Sequence, residues 1–254
     1  MDLQLKGKRA LITGASKGIG RAIAFGLAAE GCNVAICARE ATGVEATVAE
    51  LKATGINAYG ASADVAERLA LENFVKSAAS ALGGLDIVVC NASAFAHGAG
   101  EDAFRAAFDV DLLHTRNACE AALPWLERSG AGSIIAISSI SGSEDYGYDS
   151  VSYGTMKAAL FFYVKSLARH VAARGIRANV VSPGTTLFDG GFWDRVRLND
   201  PKSFAANVAA NPLGRMGAPE EVANAVVFLA SPRASFISGT NLVVDGTLTM
   251  RVQG

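Results

Sequence analysis

Thr13-Gly-Ala-Ser-Lys-Gly-Ile-Gly20 follows a short apolar run, Ala10-Leu11-Ile12, and leads into an apolar-periodic stretch from Ile23 to Ala29. That order reads as strand, glycine turn, helix. Gly14 permits a tight turn, Gly18 lets the backbone approach a pyrophosphate, and Gly20 lets the helix press close to a sheet. A helix starting here offers free N–H groups and a partial positive charge, which suit phosphate. The spacing is G-x-x-x-G-x-G, not the G-x-G-x-x-G of many dinucleotide sites. A purely structural turn is the plain alternative, and the rest of the chain decides between them.

Working outward, apolar strand-like runs recur at 9–13, 33–38, 57–61, 85–90, 132–138, 177–181 and 241–244. Amphipathic or alanine-rich stretches lie between them, at 18–30, 43–53, 66–82, 101–128, 151–174 and 219–230. Strands alternating with helices imply a parallel sheet covered on both faces. Ile87-Val88-Val89 and Ile134-Ile135-Ala136-Ile137 are continuous apolar runs, as doubly buried strands require. The pattern predicts one α/β domain over 1–254: a single doubly wound sheet of seven strands with helices on both faces. The 101–128 stretch is expected to break into two helices near Asp109–Asp111. Residues 185–217 do not fit the alternation and are rich in Gly, Asp, Asn and aromatics. So long an insertion reads as a functional lid. Phe188, Phe192, Trp193 and Phe204 are its candidate ceiling over a ligand, or else anchors of two short helices.

The bulk properties exclude several classes. At 254 residues, half of them hydrophobic, the chain has enough apolar material for a large core and is not disordered. Its net charge is −1 with no run of like charge, so nucleic acid and membrane surfaces are not expected partners. Cys32, Cys37, Cys90 and Cys119 show no C-x-x-C spacing and read as thiols of a reducing compartment. Met1 to Arg9 has no apolar leader pattern, and no uncharged apolar run reaches about 18 residues. The chain reads as soluble and cytoplasmic. His97, His114 and His170 lack metal-ligand spacing and read as surface or core polar residues, so no metal is expected.

Tyr153-Gly-Thr-Met-Lys157, with Ser139 upstream, carries the chemistry. A phenol is a poor acid or base at neutral pH, with a reference pKa near ~10. A neighbouring ammonium favours the phenolate and lowers that pKa. Residues four apart on a helix share a face, so Tyr153 and Lys157 can enter one cleft. Alone, the pair is more often a half-buried aromatic beside a solvated lysine.

Together the motifs resemble the short-chain dehydrogenase/reductase family, in its single-domain Rossmann-like form. The markers run over nearly the whole chain: Thr13 to Gly20, Asp64-Val65, Cys90-Asn91-Ala92-Ser93, Ser139, Tyr153 with Lys157, Ser182-Pro183-Gly184, and Ser238-Gly239 before Val243-Val244-Asp245-Gly246. The resemblance implies that Tyr153 moves the proton at a substrate oxygen, that Ser139 holds that oxygen, and that Lys157 lowers the Tyr153 pKa and binds the nicotinamide ribose. Ser138 is the alternative to Ser139; Ser141 stands where the family has a small apolar residue. Cofactor contacts are assigned to Gly14, Ser16, Lys17, Gly18, Ile19 and Gly20, to Arg39, Asp64 and Val65, to Asn91, Ala92 and Ser93, to Tyr153 and Lys157, and to Pro183, Gly184 and Thr186. Asp64 would accept from the adenine amino group, or cap the following helix. The residue that reads the adenosine ribose falls at Ala38, with Arg39 next and Lys17 in the turn. Two cations and no acid favour NADP(H), since an acid there would repel the 2′-phosphate. Family members also pair the helix after the fourth strand and the Tyr153 helix across a two-fold axis. A homotetramer, or at least a homodimer, is therefore expected, with Ala158, Ala159, Phe161, Phe162 and Val164 supplying surplus apolar surface.

Three residues depart from the family pattern. Ser93 replaces a glycine, which demands a negative φ there. Phe188 replaces a threonine, so a phosphate contact is lost or moves to Thr185 or Thr186. Asp111 replaces the asparagine that completes the catalytic tetrad; it either acts electrostatically on Lys157 or points away and caps the next helix. The function expected is an oxidoreductase moving hydride between NADP(H) and a ketone or secondary alcohol. A non-catalytic NADP(H)-binding sensor or scaffold is the alternative from another class. Among enzymes the rival is a 3-oxoacyl-thioester reductase, with Arg195, Arg197 and Lys202 as a basic patch for an acidic carrier.

Overall fold

Successive residues of a strand point to opposite faces, and in this chain both sets are apolar. Leu11, Ala35, Val88, Ile134 and Ala178 enter one core layer. Their neighbours Ile12, Val34, Ile36, Val89 and Ile135 enter the other. The strands are therefore held from both sides: Leu11 and Ile12 are each fully buried, and each burial contributes roughly 2 kcal/mol. The computed structural model describes residues 1–252. Seven strands form one wholly parallel sheet: β1 Arg9–Thr13, β2 Asn33–Ala38, β3 Ala58–Ser62, β4 Ile87–Cys90, β5 Gly132–Ile137, β6 Ile176–Pro183 and β7 Asn241–Val244. Their order is β3-β2-β1-β4-β5-β6-β7.

Helices cover both faces. On the first lie α3 (Arg68–Leu82), α5 (His114–Ser129) and α6 (Val151–Val171); on the second lie α1 (Gly18–Ala29), α2 (Ala41–Ala53) and α9 (Pro219–Ala230). The order of strands reverses between β1 and β4, which opens a crevice beyond their C-terminal ends. The glycine turn after β1 and Asn91 after β4 lie at that crevice.

Two sequence expectations change in form. The stretch 101–128 does divide into two α-helices near Asp109–Asp111, but the division between α4 (Glu101–Ala107) and α5 is a π turn, Phe108–Leu113, not a loop. The strand expected at 177–181 extends to Pro183, because Ser182 and Pro183 pair with Val243 and Val244 of the edge strand β7. Residues 185–217 do form an excursion, carrying α7 (Phe192–Asn199) and α8 (Pro201–Ala210). Its two ends are pinned together: Gly217 N–H donates to Thr185 O at 2.9 Å, and Leu187 N–H to Gly217 O at 2.9 Å. All four cysteines are free and buried. Among the described residues no helix is long and apolar enough to cross a membrane.

Candidate active site

The chain leaves β5 as Ser138-Ser139 and turns over Ile140–Gly142, a single 3-10 turn. That turn rests directly on α6. A Cβ on Gly142 would meet the backbone of Lys157 at 2.7 Å, and one on Gly154 would meet Ser141 O at 2.7 Å. These two glycines let the loop approach the helix, and the approach brings Ser139 beside Tyr153. The two serines divide their duties. Ser138 donates its hydroxyl to Lys157 O at 2.8 Å, tying strand to helix. Ser139 Oγ accepts from Ser141 N–H at 3.1 Å, and its hydroxyl favours the Tyr153 phenolate. Ser139, Tyr153 and Lys157 line one cavity of about 790 Å³.

Asp111 is the strongest electrostatic feature beneath that cavity. The π turn swings it inward, against α6, rather than leaving it to cap α5. Its Oδ1 lies 3.0 Å from Lys157 Nζ, with both side chains almost wholly buried, and its Oδ2 accepts from Ala94 N–H at 3.3 Å. Lys157 also donates to Ile137 O at 2.9 Å. Burial opposes the Lys157 ammonium, but Asp111 and Tyr153 outweigh it and raise the lysine above its ordinary range. For Tyr153, burial is the largest influence and raises the phenol; Lys157 and Ser139 pull it down, and Asp111 pushes it up again. The lysine thus acts in the expected direction, but desolvation wins and the phenol keeps its proton. His114 completes the substructure. It donates from Nδ1 to Val110 O at 2.9 Å, so its Nε2 accepts from the Thr13 hydroxyl at 2.9 Å. Burial holds it neutral, with its pKa down at about 4.

On the cofactor side, Thr13 Oγ1 accepts from Asn91 N–H and Ala92 N–H, at 3.0 and 3.2 Å. Asn91 Nδ2 donates to Thr13 O and Gly14 O at 3.0 and 2.9 Å. These bonds fix the glycine turn against the end of β4. The start of α1 has no side-chain cap and no acid in its first turn, so its N–H groups remain available to an anion. Gly14, Lys17, Ile19, Gly20, Asn91, Ser93, Pro183, Gly184 and Thr186 share the cavity with the catalytic set. Ser16 and Gly18 line an adjoining depression of about 660 Å³ that shares Lys17 and Phe188 with it. Arg39, Asp64 and Val65 lie apart from both, after β2 and β3. Lys17 and Arg39 are exposed, and neither makes an ion pair among the described residues. Asp64 does not cap α3: its Oδ1 accepts from Ala66 N–H, and the helix starts later, at Arg68.

Each departure from the family pattern has a local consequence. Ser93 does not take a positive φ; the left-handed residue is Phe95, at φ 49°, whose N–H donates to Ser93 Oγ. Thr186 spends its hydroxyl on Gly184 O, whereas Thr185 Oγ1 is buried without a partner. The free hydroxyl for a polar ligand group is therefore on Thr185, not on Thr186. Phe188 lies over the glycine turn at one edge of the cavity. A Cβ on Gly18 would meet its ring at 2.6 Å. Phe204 is not among the walls of the cavity. The turn, the uncapped helix and the orphaned Thr185 hydroxyl fit a dinucleotide, provided the Phe188 ring moves off Gly18.

The opposite wall joins Phe192 and Trp193, two of the residues expected over the ligand, to Phe95, His97, Ser141 and Tyr146, which the sequence did not single out as site residues. His97 lies near-parallel to the Tyr153 ring at 5.2 Å and to Phe192 at 6.1 Å. No spacing rule picks these out, because the loop after β4 and the start of α7 meet only in the folded chain.

Comparison with known proteins agrees with this fold. The family model described as enoyl-(acyl carrier protein) reductase matches residues 14–249. Isoepoxydon dehydrogenase of Penicillium expansum is 39% identical, over 98% of this chain and 97% of its own. A short-chain dehydrogenase from Burkholderia cenocepacia, solved with NADP, is 34% identical with a TM-score of 0.86, covering 96% of this chain and 99% of its own. L-sorbose reductase from Gluconobacter frateurii, solved with NADPH and L-sorbose, is 29% identical with a TM-score of 0.92, covering 99% of this chain and 100% of its own.

Proposed function

The chain belongs to the short-chain dehydrogenase/reductase family of oxidoreductases, and on that premise we propose that it interconverts a ketone and a secondary alcohol with NADP(H), using Ser139, Tyr153 and Lys157. One observation carries the reading: a buried, protonated phenol lies between an ion-paired ammonium and a serine hydroxyl in a single cavity. Bound at the glycine turn, NADPH supplies the hydride. Ser139 donates a hydrogen bond to the substrate oxygen and holds it at Tyr153. Tyr153 gives its proton to that oxygen as the carbonyl becomes an alcohol, and takes it back in the reverse direction. Lys157 stabilises the phenolate left behind, and Asp111 holds Lys157 charged and in place. Lys17 and Arg39 take the 2′-phosphate, with Ala38 offering no acid to repel it. Thr185 serves the nicotinamide-side polar contact that Phe188 cannot make.

The intact and convergent site argues against a non-catalytic scaffold. A carrier-protein patch is weakened by Asp194, which pairs with Arg197 at 2.6 Å. The excursion over 185–217 acts as the lid, its pinned ends setting its hinges. For assembly, Val164 is fully buried, while Phe162 on the same helix is 79% exposed. A large aromatic so exposed on α6 supports pairing of that helix in a homodimer or homotetramer. The test of function is NADPH consumption against a panel of ketones, sugars and acyl thioesters. Ketone reduction by the wild type, abolished in Tyr153→Phe with NADPH affinity kept, is expected. Turnover surviving in Tyr153→Phe would place the chemistry elsewhere.

A further inference from the structure

The residues facing Tyr153 across the cavity form an aromatic arrangement that the proton relay does not use. Phe95 meets Tyr153 edge-on at 5.1 Å, Phe192 at 5.1 Å and His97 at 4.6 Å. His97 is the polar member. Its Nδ1 is engaged with Ser150 Oγ at 3.2 Å, which leaves Nε2 for another partner. Burial lowers its pKa, so at neutral pH the ring is uncharged and offers a directed hydrogen bond rather than a charge. The backbone shows that this arrangement is held at a cost. Phe95 is a non-glycine residue at φ 49°, a left-handed conformation that persists where surrounding structure enforces it.

We propose that His97 is a specificity-determining residue. With Phe95 and Phe192 it selects a small ring-shaped ketone or alcohol bearing a second oxygen on the carbon next to the reacting one. This deepens the ketone–alcohol reading of the same site and rests on it. The two aromatic side chains present apolar faces to the C–H faces of such a ring. His97, its ring stacked 5.2 Å from that of Tyr153 in the same cavity, would offer its free nitrogen to an oxygen close to the one that Tyr153 protonates. A substrate with one oxygen leaves that nitrogen unmatched once water is displaced, and a site built to hydrogen-bond an oxygen discriminates against analogues that lack it.

The test compares 2-hydroxycyclohexanone with cyclohexanone, each reduced with NADPH, by the ratio of their kcat/KM values. Wild type is expected to favour the hydroxyketone. His97→Phe keeps a stacking ring and removes both nitrogens; it should lower the ratio about tenfold, the loss of one hydrogen bond. His97→Gln, which returns a polar group to that position, should restore part of it. An unchanged ratio in His97→Phe overturns the proposal, as does an equal fall for both ketones, which would mean that His97 merely supports Tyr153. A wild type that binds NADPH but reduces no ketone in the panel overturns the ketone–alcohol reading, and this proposal with it.

Discussion

The wall formed by the glycine turn and the wall formed by Phe95, His97, Phe192 and Trp193 face each other across one cavity, yet they are made of different material. The first is mostly backbone: free N–H groups at the start of α1 and an Asn91 side chain bonded to main-chain carbonyls. The second is mostly side chain, with rings whose mutual packing sets its shape. A backbone wall tolerates few sequences, since glycine must stand where a Cβ would collide. A side-chain wall can be rebuilt by substitution without disturbing the fold. This is why one family serves many substrates with one cofactor chemistry.

Lys157 stands at the seam of the two walls, so its loss should break the comparison most severely. Lys157→Ala is expected to cut kcat by roughly 1,000-fold, within the range for removing a proton-transfer group, and to weaken NADPH binding as well. Stopped-flow turnover and a fluorescence titration of the cofactor separate the two; damage to one alone would mean that Lys157 serves a single wall. Next in size is Ala38→Asp, which acts on the backbone side alone. A carboxylate placed beside Lys17 and Arg39, the proposed 2′-phosphate contacts, should move preference toward NAD(H) by roughly 100-fold, an ionic effect that shrinks with salt. Equal Kd values for the two cofactors in the wild type would refute the assignment.

Phe188 belongs to the 185–217 excursion proposed as the lid, yet its ring lies on the glycine turn. If that ring must move before phosphate binds, only a fraction of the molecules is competent at any moment. Phe188→Ala should then tighten NADPH binding by about fivefold, read by calorimetry; weaker binding would show instead that the ring supports the cofactor. The smallest effect concerns Asp111→Asn. The carboxylate favours the protonated forms of both Lys157 and Tyr153. Its removal lowers the Tyr153 pKa, so more phenolate is present at a given pH. The pH–rate profile for alcohol oxidation should shift to lower pH, with turnover kept or raised. An unmoved profile would rule out the electrostatic role and leave the 3.0 Å ion pair a structural one.

The legibility of these parts follows their construction. Strand alternation and the glycine spacing gave the sheet and the cofactor side, because both are periodic or local in sequence. Tyr153 and Lys157 were legible for the same reason, being one helical turn apart. The pattern Ile-Ser-Ser-Ile-Ser-Gly favours Ser139 over Ser138, and the hydrogen bond from Ser138 to Lys157 O gives the physical reason: the first hydroxyl is already engaged. His97 was read as an ordinary polar residue because nothing within its own segment marks it. Its neighbours come from α6, from α7 and from the residue two before it, Phe95.

By itself, the sequence determined the doubly wound sheet and the order of its elements, and it singled out the residues proposed for the proton relay. These rest on short-range repetition, hydrophobic alternation and turn chemistry, which any stretch of chain displays without its partners. Tertiary structure alone decided the π turn that sets Asp111 on Lys157, the placement of Phe188 over Gly18, the unpaired Thr185 hydroxyl and the ring arrangement at His97. Apart from the Thr185 hydroxyl, each of these is a contact between segments far apart in sequence; all are fixed by close packing and desolvation, which come into being only when the two halves of the sheet bring those segments together.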